Sequence, residues 1–411
     1  MQRRGSDFRA LVYTFYLFLT PIFFCFCSLF GIDYSGAEDS NLFKYVYIVA
    51  DAIVVMLFLQ SIFIKEPRYS LRILMVFLVL LIITIDYYFS QGTALQAYIF
   101  RTFIAESVIA SFIAIDVCGR QLLMRMVKWL DIVMLLISIF AAINIPRLFV
   151  GMAIGVGETA QALAYFSAVG FSIDLFLLLF GKNYQRFSFT SSSIYNYICA
   201  FLLIVQIVSC LVSGGRGGAV LLIVSFFVLL LLWNRSFSGG KTKILVYSII
   251  ILGLLVVPHI LPNYITSMIN AGIERTFSYL SGGGIDMSQT SDRDTVYNAS
   301  INIIEEKTVL GWGFWGYLSR ANLIPHNLFL ETMLQGGILY TFLISVFLIV
   351  LLIKLIRAIR RDVRYVVLVT IALYPFVQLM FSGSYIMTPI FWFITVLLFI
   401  DPLRMIRENV N

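Results

Sequence analysis

Apolar runs of about twenty residues recur along the whole of this 411-residue chain, and they limit its fold more than any other feature. A helix of about 20 apolar residues is long enough to cross the ~30 Å hydrocarbon core of a bilayer. The composition agrees, because 60% of the residues are hydrophobic and only 12% are charged, against roughly half and a quarter in soluble domains. We predict an all-α, polytopic membrane protein that forms one integral domain over residues 1–411.

About twelve transmembrane helices are predicted from these runs. Their approximate bounds are Leu11–Phe30, Tyr45–Ile64, Ile73–Phe89, Tyr98–Val117, Leu130–Ile145, Ala162–Phe180, Tyr197–Val212, Ala219–Trp233, Ile244–Ile260, Leu328–Ile353, Tyr365–Phe381 and Thr388–Ile400. An even number of spans places both termini on the same side of the membrane. The closely spaced pairs, such as the seventh and eighth, are the places where this count is weakest.

The lysine and arginine residues set the orientation. Most of the 29 basic residues lie in one alternating set of connections, which includes both ends of the chain. By the positive-inside rule this side is cytoplasmic, so both termini are predicted to be cytoplasmic. The net charge of +7 follows from this topology and does not indicate a nucleic-acid partner. The five cysteines form no metal-ligand pattern, and we expect neither a metal site nor a cofactor.

One long polar stretch interrupts the apolar runs between the ninth and tenth spans. It covers residues 261–326 and faces the non-cytoplasmic side in the predicted topology. Helix-like patterns at Ile265–Leu280 and Asp294–Glu306, joined through Ser281-Gly282-Gly283-Gly284, predict two short helices on that outer face. We therefore expect a helical loop inserted within the membrane domain.

Three residues on the outer side can bind an anion or move a proton. Arg216 stands in Ser213-Gly214-Gly215-Arg216-Gly217-Gly218, where glycines let the backbone approach a ligand closely and the guanidinium offers a bidentate contact to phosphate. The alternative is a tight turn whose arginine extends to lipid headgroups. Arg293 lies in the polar stretch, where it either binds an anion or pairs with Asp292 or Asp294 as a solvated ion pair.

His326 follows Ile324-Pro325 at the point where the chain re-enters the membrane, and the chain has only two histidines. A neutral imidazole can act as a general base near neutral pH. The alternative is a helix-entry residue whose ring hydrogen-bonds to the backbone. His259, next to Pro258, is predicted to be structural.

Several further residues are weaker candidates for supporting roles. Arg101, Arg275 and Arg320 could join an anion site, and Glu331 could orient the His326 ring or satisfy a buried polar position. Tyr297 lies one helical turn after Arg293. Intramembrane charges are costly and tend to face a partner or a wet cavity.

The order of these features resembles the bacterial O-antigen ligase and polymerase superfamily. The likeness rests on the Gly-rich arginine turn, two spans, the long outer loop with Arg293, Gly311-Trp312-Gly313, and Pro325-His326-Asn327-Leu328-Phe329-Leu330-Glu331 leading into Gln335-Gly336-Gly337. It is specific over residues 212–337, and upstream of these it is a likeness of topology alone.

The resemblance implies a GT-C-like, metal-independent and inverting glycosyltransferase of the bacterial inner membrane, with its active site facing the periplasm. Its partners would be an undecaprenyl-diphosphate-linked oligosaccharide donor and acceptor, membrane lipids and a chain-length regulator protein. Arg216 and Arg293 match the family arginines taken to bind the diphosphate. His326 matches the histidine taken to activate the acceptor hydroxyl.

The acceptor divides this superfamily into branches, and other classes of protein also stay open. An O-antigen polymerase extends a lipid-linked repeat unit, a ligase passes the glycan to lipid A-core, and a third branch glycosylates proteins. The compact loop and the form of the arginine turn favour a polymerase. A transporter of lipid-linked glycans or anions would show inverted repeats, and none stands out. A structural subunit without activity would leave Arg216, Arg293 and His326 replaceable.

Overall fold

The computed structural model describes residues 2–32, 41–64, 71–90, 92–149, 160–236, 267, 270 and 293–400. Within these residues the chain is helical and contains no β-strand, as the apolar runs predicted. A helix satisfies all its interior backbone hydrogen bonds within one segment, which is why it suits a lipid environment.

Fifteen α-helices make up the part of the chain described above, and the first ten precede the polar stretch. They are α1 (Gln2–Leu17), α2 (Leu19–Phe30), α3 (Asn41–Ile64), α4 (Leu71–Phe89), α5 (Ala94–Thr102), α6 (Ile109–Arg120), α7 (Leu123–Phe149), α8 (Ala160–Phe180), α9 (Ser193–Ser213) and α10 (Arg216–Ser236). A π-helical segment, Phe103–Val108, joins α5 to α6. The other five are α11 (Arg293–Glu306), α12 (Gly316–Ala321), α13 (Leu328–Arg361), α14 (Val366–Phe381) and α15 (Pro389–Ile400).

Nine helices among the described residues are long and apolar enough to cross a membrane, or ten if the first bent pair is one span. That pair, Gly5–Leu17 and Leu19–Phe30, is bent by 77°, so the first predicted span is not a straight helix. The last apolar helix, Pro389–Ile400, has only 12 residues. The ninth predicted span, Ile244–Ile260, lies outside the described residues, and the number twelve is not confirmed.

The chain divides into two compact units. The first contains residues 1–18, 41–129 and 285–411, and the second contains residues 19–40 and 130–284. In the first unit α15 packs along α6, and α3 also contacts α6. In the second unit α8 packs against both α9 and α10.

Buried ion pairs lie within each unit. In the first, the Asp116 carboxylate contacts Arg9 at 2.9 Å and Arg120 at 3.0 Å. In the second, Asp131 receives two hydrogen bonds from Arg186, at 3.0 and 2.6 Å. Both aspartates are buried, and a buried carboxylate needs such partners to offset its lost hydration. These charges are therefore satisfied within the fold.

The described part of the polar stretch packs against α4 and α5 through Trp315. Its indole Nε1–H donates to the Ile83 carbonyl at 2.8 Å, and its own carbonyl accepts from the Gln96 amide at 2.6 Å. Trp315 is fully buried and packs edge-on against Tyr87 and Phe100. The predicted helix Asp294–Glu306 is confirmed as α11. The other predicted helix, Ile265–Leu280, lies outside the described residues.

Candidate active site

The helix that follows the polar stretch, α13, begins at Leu328 and is broken a little over two turns later. The side chain of Asn327 caps it by accepting from the backbone N–H groups of Phe329 and Leu330. The break lies at Gly336 and Gly337, where the backbone leaves helical geometry with φ of −135° and +62°. Glycine populates the positive-φ region without the penalty that a Cβ brings.

A loop segment crosses this break and satisfies the backbone groups that the break frees. The N–H groups of Trp312 and Gly313 donate to the carbonyls of Leu334 and Gln335, at 2.9 and 2.7 Å. In return, the Ile338 N–H donates to the Thr308 carbonyl at 2.9 Å. Because buried backbone groups must be paired, the loop and the broken helix stabilise each other.

The crossing leaves no room for side chains at its centre. A Cβ built on Gly311 would lie 2.5 Å from the backbone of Gly336, and one built on Gly337 would lie 2.5 Å from the Thr308 carbonyl. The two glycine motifs quoted for the family resemblance are therefore two sides of a single contact. This contact holds the loop of residues 308–313 against α13, and it thereby limits the path of the chain from this loop to His326.

His326 has a left-handed backbone conformation, with φ of +54°. Its ring Nδ1 accepts a hydrogen bond from the backbone N–H of Gly383, at 3.0 Å. The pKa of His326 is lowered from its ordinary value, first because the ring is buried and second because of the positive charge of Arg293. Both causes disfavour the imidazolium form, so the ring is neutral at pH 7.

Glu331 holds the turn that contacts the histidine. Its two carboxylate oxygens accept from the Ser384 hydroxyl and from the Tyr385 backbone N–H, the latter at 3.2 Å. The buried Tyr317 hydroxyl donates to the same carboxylate at 3.3 Å. All three groups donate, which suits an ionised carboxylate. Glu331 thus contacts the residues next to Gly383 instead of the imidazole itself.

Arg293 begins α11 and belongs to the same unit as His326. Its guanidinium group is near enough for its charge to lower the pKa of the imidazole. The structure therefore brings two of the three predicted site residues into one electrostatic environment. Tyr297 lies half-buried on the same helix, one turn further on.

Arg216 begins α10 in the second unit, and its convergence with Arg293 and His326 stays a prediction. The glycines around it have structural functions. Gly214 ends α9 in the left-handed conformation, with φ of +64°. A Cβ on Gly218 would lie 2.5 Å from the Ala164 backbone, and one on Gly217 would overlap the Tyr165 hydroxyl. These glycines allow α8 and α10 to pack closely, and the predicted close approach of this turn to a ligand stays a prediction.

The remaining candidates have varied surroundings. Arg101 is exposed, and its Nε–H donates to the Ala97 carbonyl of its own helix at 3.1 Å. Arg320 is exposed and lies over the Trp312 ring, 4.7 Å from its centroid, while Lys307 lies 4.0 Å from the same centroid. Arg275 lies outside the described residues. Within the described part of the chain, no group of three His, Cys, Asp or Glu side chains is placed to hold a metal ion.

Sequence reasoning missed the turn Ser382-Gly383-Ser384-Tyr385. This turn joins α14 to the short helical turn before α15, and it supplies the N–H group that His326 accepts. The Tyr385 hydroxyl also donates to the side-chain oxygen of Gln335. Two serines around a glycine between two apolar runs are the only signal in the sequence, and they are typical of any turn.

Comparison with protein families gives one match. The model of the family described as O-antigen ligase matches residues 199–344, about a third of the chain. The matched segment contains Arg216, Arg293 and His326 and continues through the helix break at Gly336-Gly337. Comparison with curated proteins and with solved structures gives no match.

Proposed function

We propose that the chain, whose residues 199–344 match the family described as O-antigen ligase, is an O-antigen (or related surface polysaccharide) polymerase. It transfers a glycan from an undecaprenyl-diphosphate-linked donor to a lipid-linked repeat unit on the periplasmic face. The reaction needs no metal ion and inverts the anomeric centre.

The observation that carries the proposal is the pairing of Arg293 with His326 within one unit. Both residues belong to the same unit, and the positive charge of Arg293 contributes to the lowered pKa of His326. A permanently charged fork suits the oxygens of a phosphate group. A neutral imidazole beside it suits a reaction in which a proton or a hydrogen bond must be handled at the same place.

Diphosphate is a leaving group whose charge grows as the glycosidic bond breaks. Fixed cations that meet this charge lower the barrier, and two guanidinium groups can do so without a metal ion. We assign Arg216 and Arg293 to the diphosphate. Arg216 contributes also through its place at the start of the 21-residue helix α10, because the positive end of the helix macrodipole favours an anion.

A ligase is the second candidate, because the matching family model is described as O-antigen ligase. A ligase would use the same donor and the same diphosphate contacts, and it would pass the finished glycan to lipid A-core. We prefer the polymerase because the outer loop is compact and because the arginine turn has the sequence Ser-Gly-Gly-Arg-Gly-Gly.

Purified protein in proteoliposomes, supplied with one defined undecaprenyl-diphosphate oligosaccharide, tests the proposal. Ladder-like products from this lipid alone support a polymerase. Transfer only after lipid A-core is added supports a ligase, and no transfer to either acceptor contradicts both. The Arg293→Ala protein is the matched negative control, and Arg101→Ala, which alters an exposed arginine bonded to its own helix, is the matched positive control.

A bacterial strain that lacks the protein separates the same alternatives in cells. A lipid A-core that carries a single repeat unit indicates a missing polymerase. A bare core together with accumulated lipid-linked polymer indicates a missing ligase. Unchanged glycan would contradict the proposed function, and the abundance of the other envelope glycans serves as the internal control.

A further inference from the structure

The hydrogen bond between Gly383 and His326 determines which ring nitrogen carries the proton. A backbone N–H can only donate, so Nδ1 must offer its lone pair, and it does so at 3.0 Å. A neutral imidazole has one N–H and one lone pair. With Nδ1 occupied as the acceptor, the proton of the neutral ring lies on Nε2.

We infer that His326 acts in the proposed transfer reaction as a hydrogen-bond donor through Nε2–H to an oxygen of the leaving diphosphate, and not as the general base for the acceptor hydroxyl. The inference rests on the proposed function for the identity of the anion. It makes His326 a member of the same anion-binding set as Arg293. A base would need a free lone pair on Nε2, and this tautomer has none.

Two features of the fold hold the tautomer in place. Gly383 has φ of +78° and His326 has φ of +54°. In these left-handed conformations the Gly383 N–H points at Nδ1 of the ring. Glu331 fixes the same turn through Ser384 and Tyr385. Exchange of the ring proton to Nδ1 would leave two N–H groups pointing at each other, which costs the bond and adds repulsion.

The charge of Arg293 also suits a donor better than a base. A nearby cation lowers the pKa of the imidazole and thereby weakens it as a base, whereas it adds to the attraction that Nε2–H exerts on an anion. A guanidinium and an N–H that act on one oxyanion form the type of arrangement that stabilises developing negative charge.

The chemical step balances without a basic residue. The acceptor hydroxyl oxygen forms the bond to the anomeric carbon, and the bond from that carbon to the diphosphate oxygen breaks with its electron pair going to the diphosphate. The departing diphosphate gains one negative charge and takes up the proton that the hydroxyl loses. Nε2–H remains on the ring throughout and stabilises the charge while it develops.

Nitrogen-15 NMR of the histidine rings in proteoliposomes tests the tautomer directly. The chain has only two histidines, so subtracting the spectrum of the His326→Asn protein from that of the wild type isolates the His326 signals. At about pH 8, above the ordinary histidine pKa, we expect a protonated Nε2 and an unprotonated Nδ1. A proton on Nδ1 would overturn the inference, whether or not the protein transfers glycan.

Two variants test the role of the donor in catalysis. His326→Gln keeps an N–H near the position of Nε2 but offers no base, and His326→Asn keeps an acceptor for Gly383 but loses the outer donor. We expect His326→Asn to reduce the transfer rate about a hundredfold and His326→Gln to retain clearly more activity. Equal loss in both, at wild-type abundance and thermal stability, overturns the donor role. Absence of transfer by the wild type would instead overturn the proposed function.

Discussion

Glycines surround both Arg216 and His326, but those at Arg216 are its neighbours in sequence, whereas those at His326 come from distant parts of the chain. The structure uses the glycines differently. Around Arg216 they allow α8 and α10 to approach each other. Around His326 the glycines at 311, 336 and 337 bring backbone against backbone, and Gly383 presents its N–H to the imidazole.

The two sets of glycines constrain different parts of the residue that they surround. Close packing of α8 against α10 sets where the Arg216 backbone lies. The hydrogen bonds around His326 fix a backbone, a ring and a proton position together. The direction of an N–H donor on a ring depends on how the ring is held, so the His326 region needs the second kind of control. The two regions should therefore respond differently to substitution.

The largest expected effect is on the transfer rate when the two arginines are removed. Arg216→Ala and Arg293→Ala should each reduce the rate by about 10²–10³ if they hold the leaving diphosphate. If both contact one diphosphate, the double variant should lose much less than the product of the two single losses. The measurement is the initial rate of transfer in proteoliposomes.

The corresponding lysine variants are the controls for this cycle, because they keep the charge and lose the fork. Effects that simply multiply would mean that the two arginines act on separate substrates or separate steps. Such a result would contradict the proposal that Arg216 and Arg293 bind the same diphosphate.

The next largest effect concerns stability at the glycines. Gly337→Ala adds a Cβ beside the Thr308 carbonyl at a residue with φ of +62°, so left-handed strain and overpacking should together cost about 2–5 kcal/mol. Gly215→Ala adds only overpacking against Ala164, which costs roughly 1–3 kcal/mol. Thermal unfolding in detergent should rank the two variants in that order.

Gly92→Ala is the matched control for both glycine variants, because no heavy atom lies within 4 Å of a Cβ added there. It should unfold at the wild-type temperature. If Gly337→Ala also does so, the close crossing of the loop over α13 is not present in the protein.

A smaller effect is expected from Glu331→Gln. One oxygen that accepts from Ser384 or Tyr385 is replaced by a donating NH₂ group, so a buried N–H or O–H loses its acceptor, at a cost of about 1–3 kcal/mol. The transfer rate should fall through the displaced Gly383. The result to measure is a histidine ring spectrum that broadens or shifts in the variant, and an unchanged spectrum would separate Glu331 from the position of His326.

Arg101→Ala should have one of the smallest effects on both stability and activity. The side chain is exposed and bonds only within its own helix in the described contacts, so the expected change in unfolding free energy is within about 0.5 kcal/mol. The transfer rate should stay within a factor of a few. A loss comparable to that of Arg293→Ala would place Arg101 in the anion site.

The pH dependence should show no effect of His326 around neutrality. Burial and the charge of Arg293 lower the pKa of the ring, so the neutral form predominates as the pH falls from about 8 towards the ordinary histidine pKa of about 6.5. The pH profiles of the wild type and of His326→Gln should therefore be parallel over this interval. A rate that halves near pH 7 in the wild type alone would contradict the lowered pKa.

The sequence by itself determined the all-helical fold of the described residues, and it predicted the membrane spans, the family resemblance and the candidate site residues. Long apolar runs can satisfy their backbone groups in lipid only as helices, so the predicted spans within the described residues mostly match observed helices. The bend of 77° between α1 and α2 was not predicted. The run Leu11–Phe30 is apolar on both sides of the bend, and hydropathy alone does not show where a helix changes direction. Arg293 and His326 were predicted as site residues from motifs and from the family resemblance, and their roles stay a prediction.

Only the tertiary structure decided how these residues are held. The hydrogen bond from Gly383 to His326 joins residues 57 positions apart. Trp312 and Gly313 form backbone hydrogen bonds across the break in α13, and such bonds cannot be predicted from the side chains of the residues that form them. Spacing along a chain predicts contacts within one helix, whereas contacts between distant segments depend on the path of the intervening chain. The position of the proton on His326 is a property of that path.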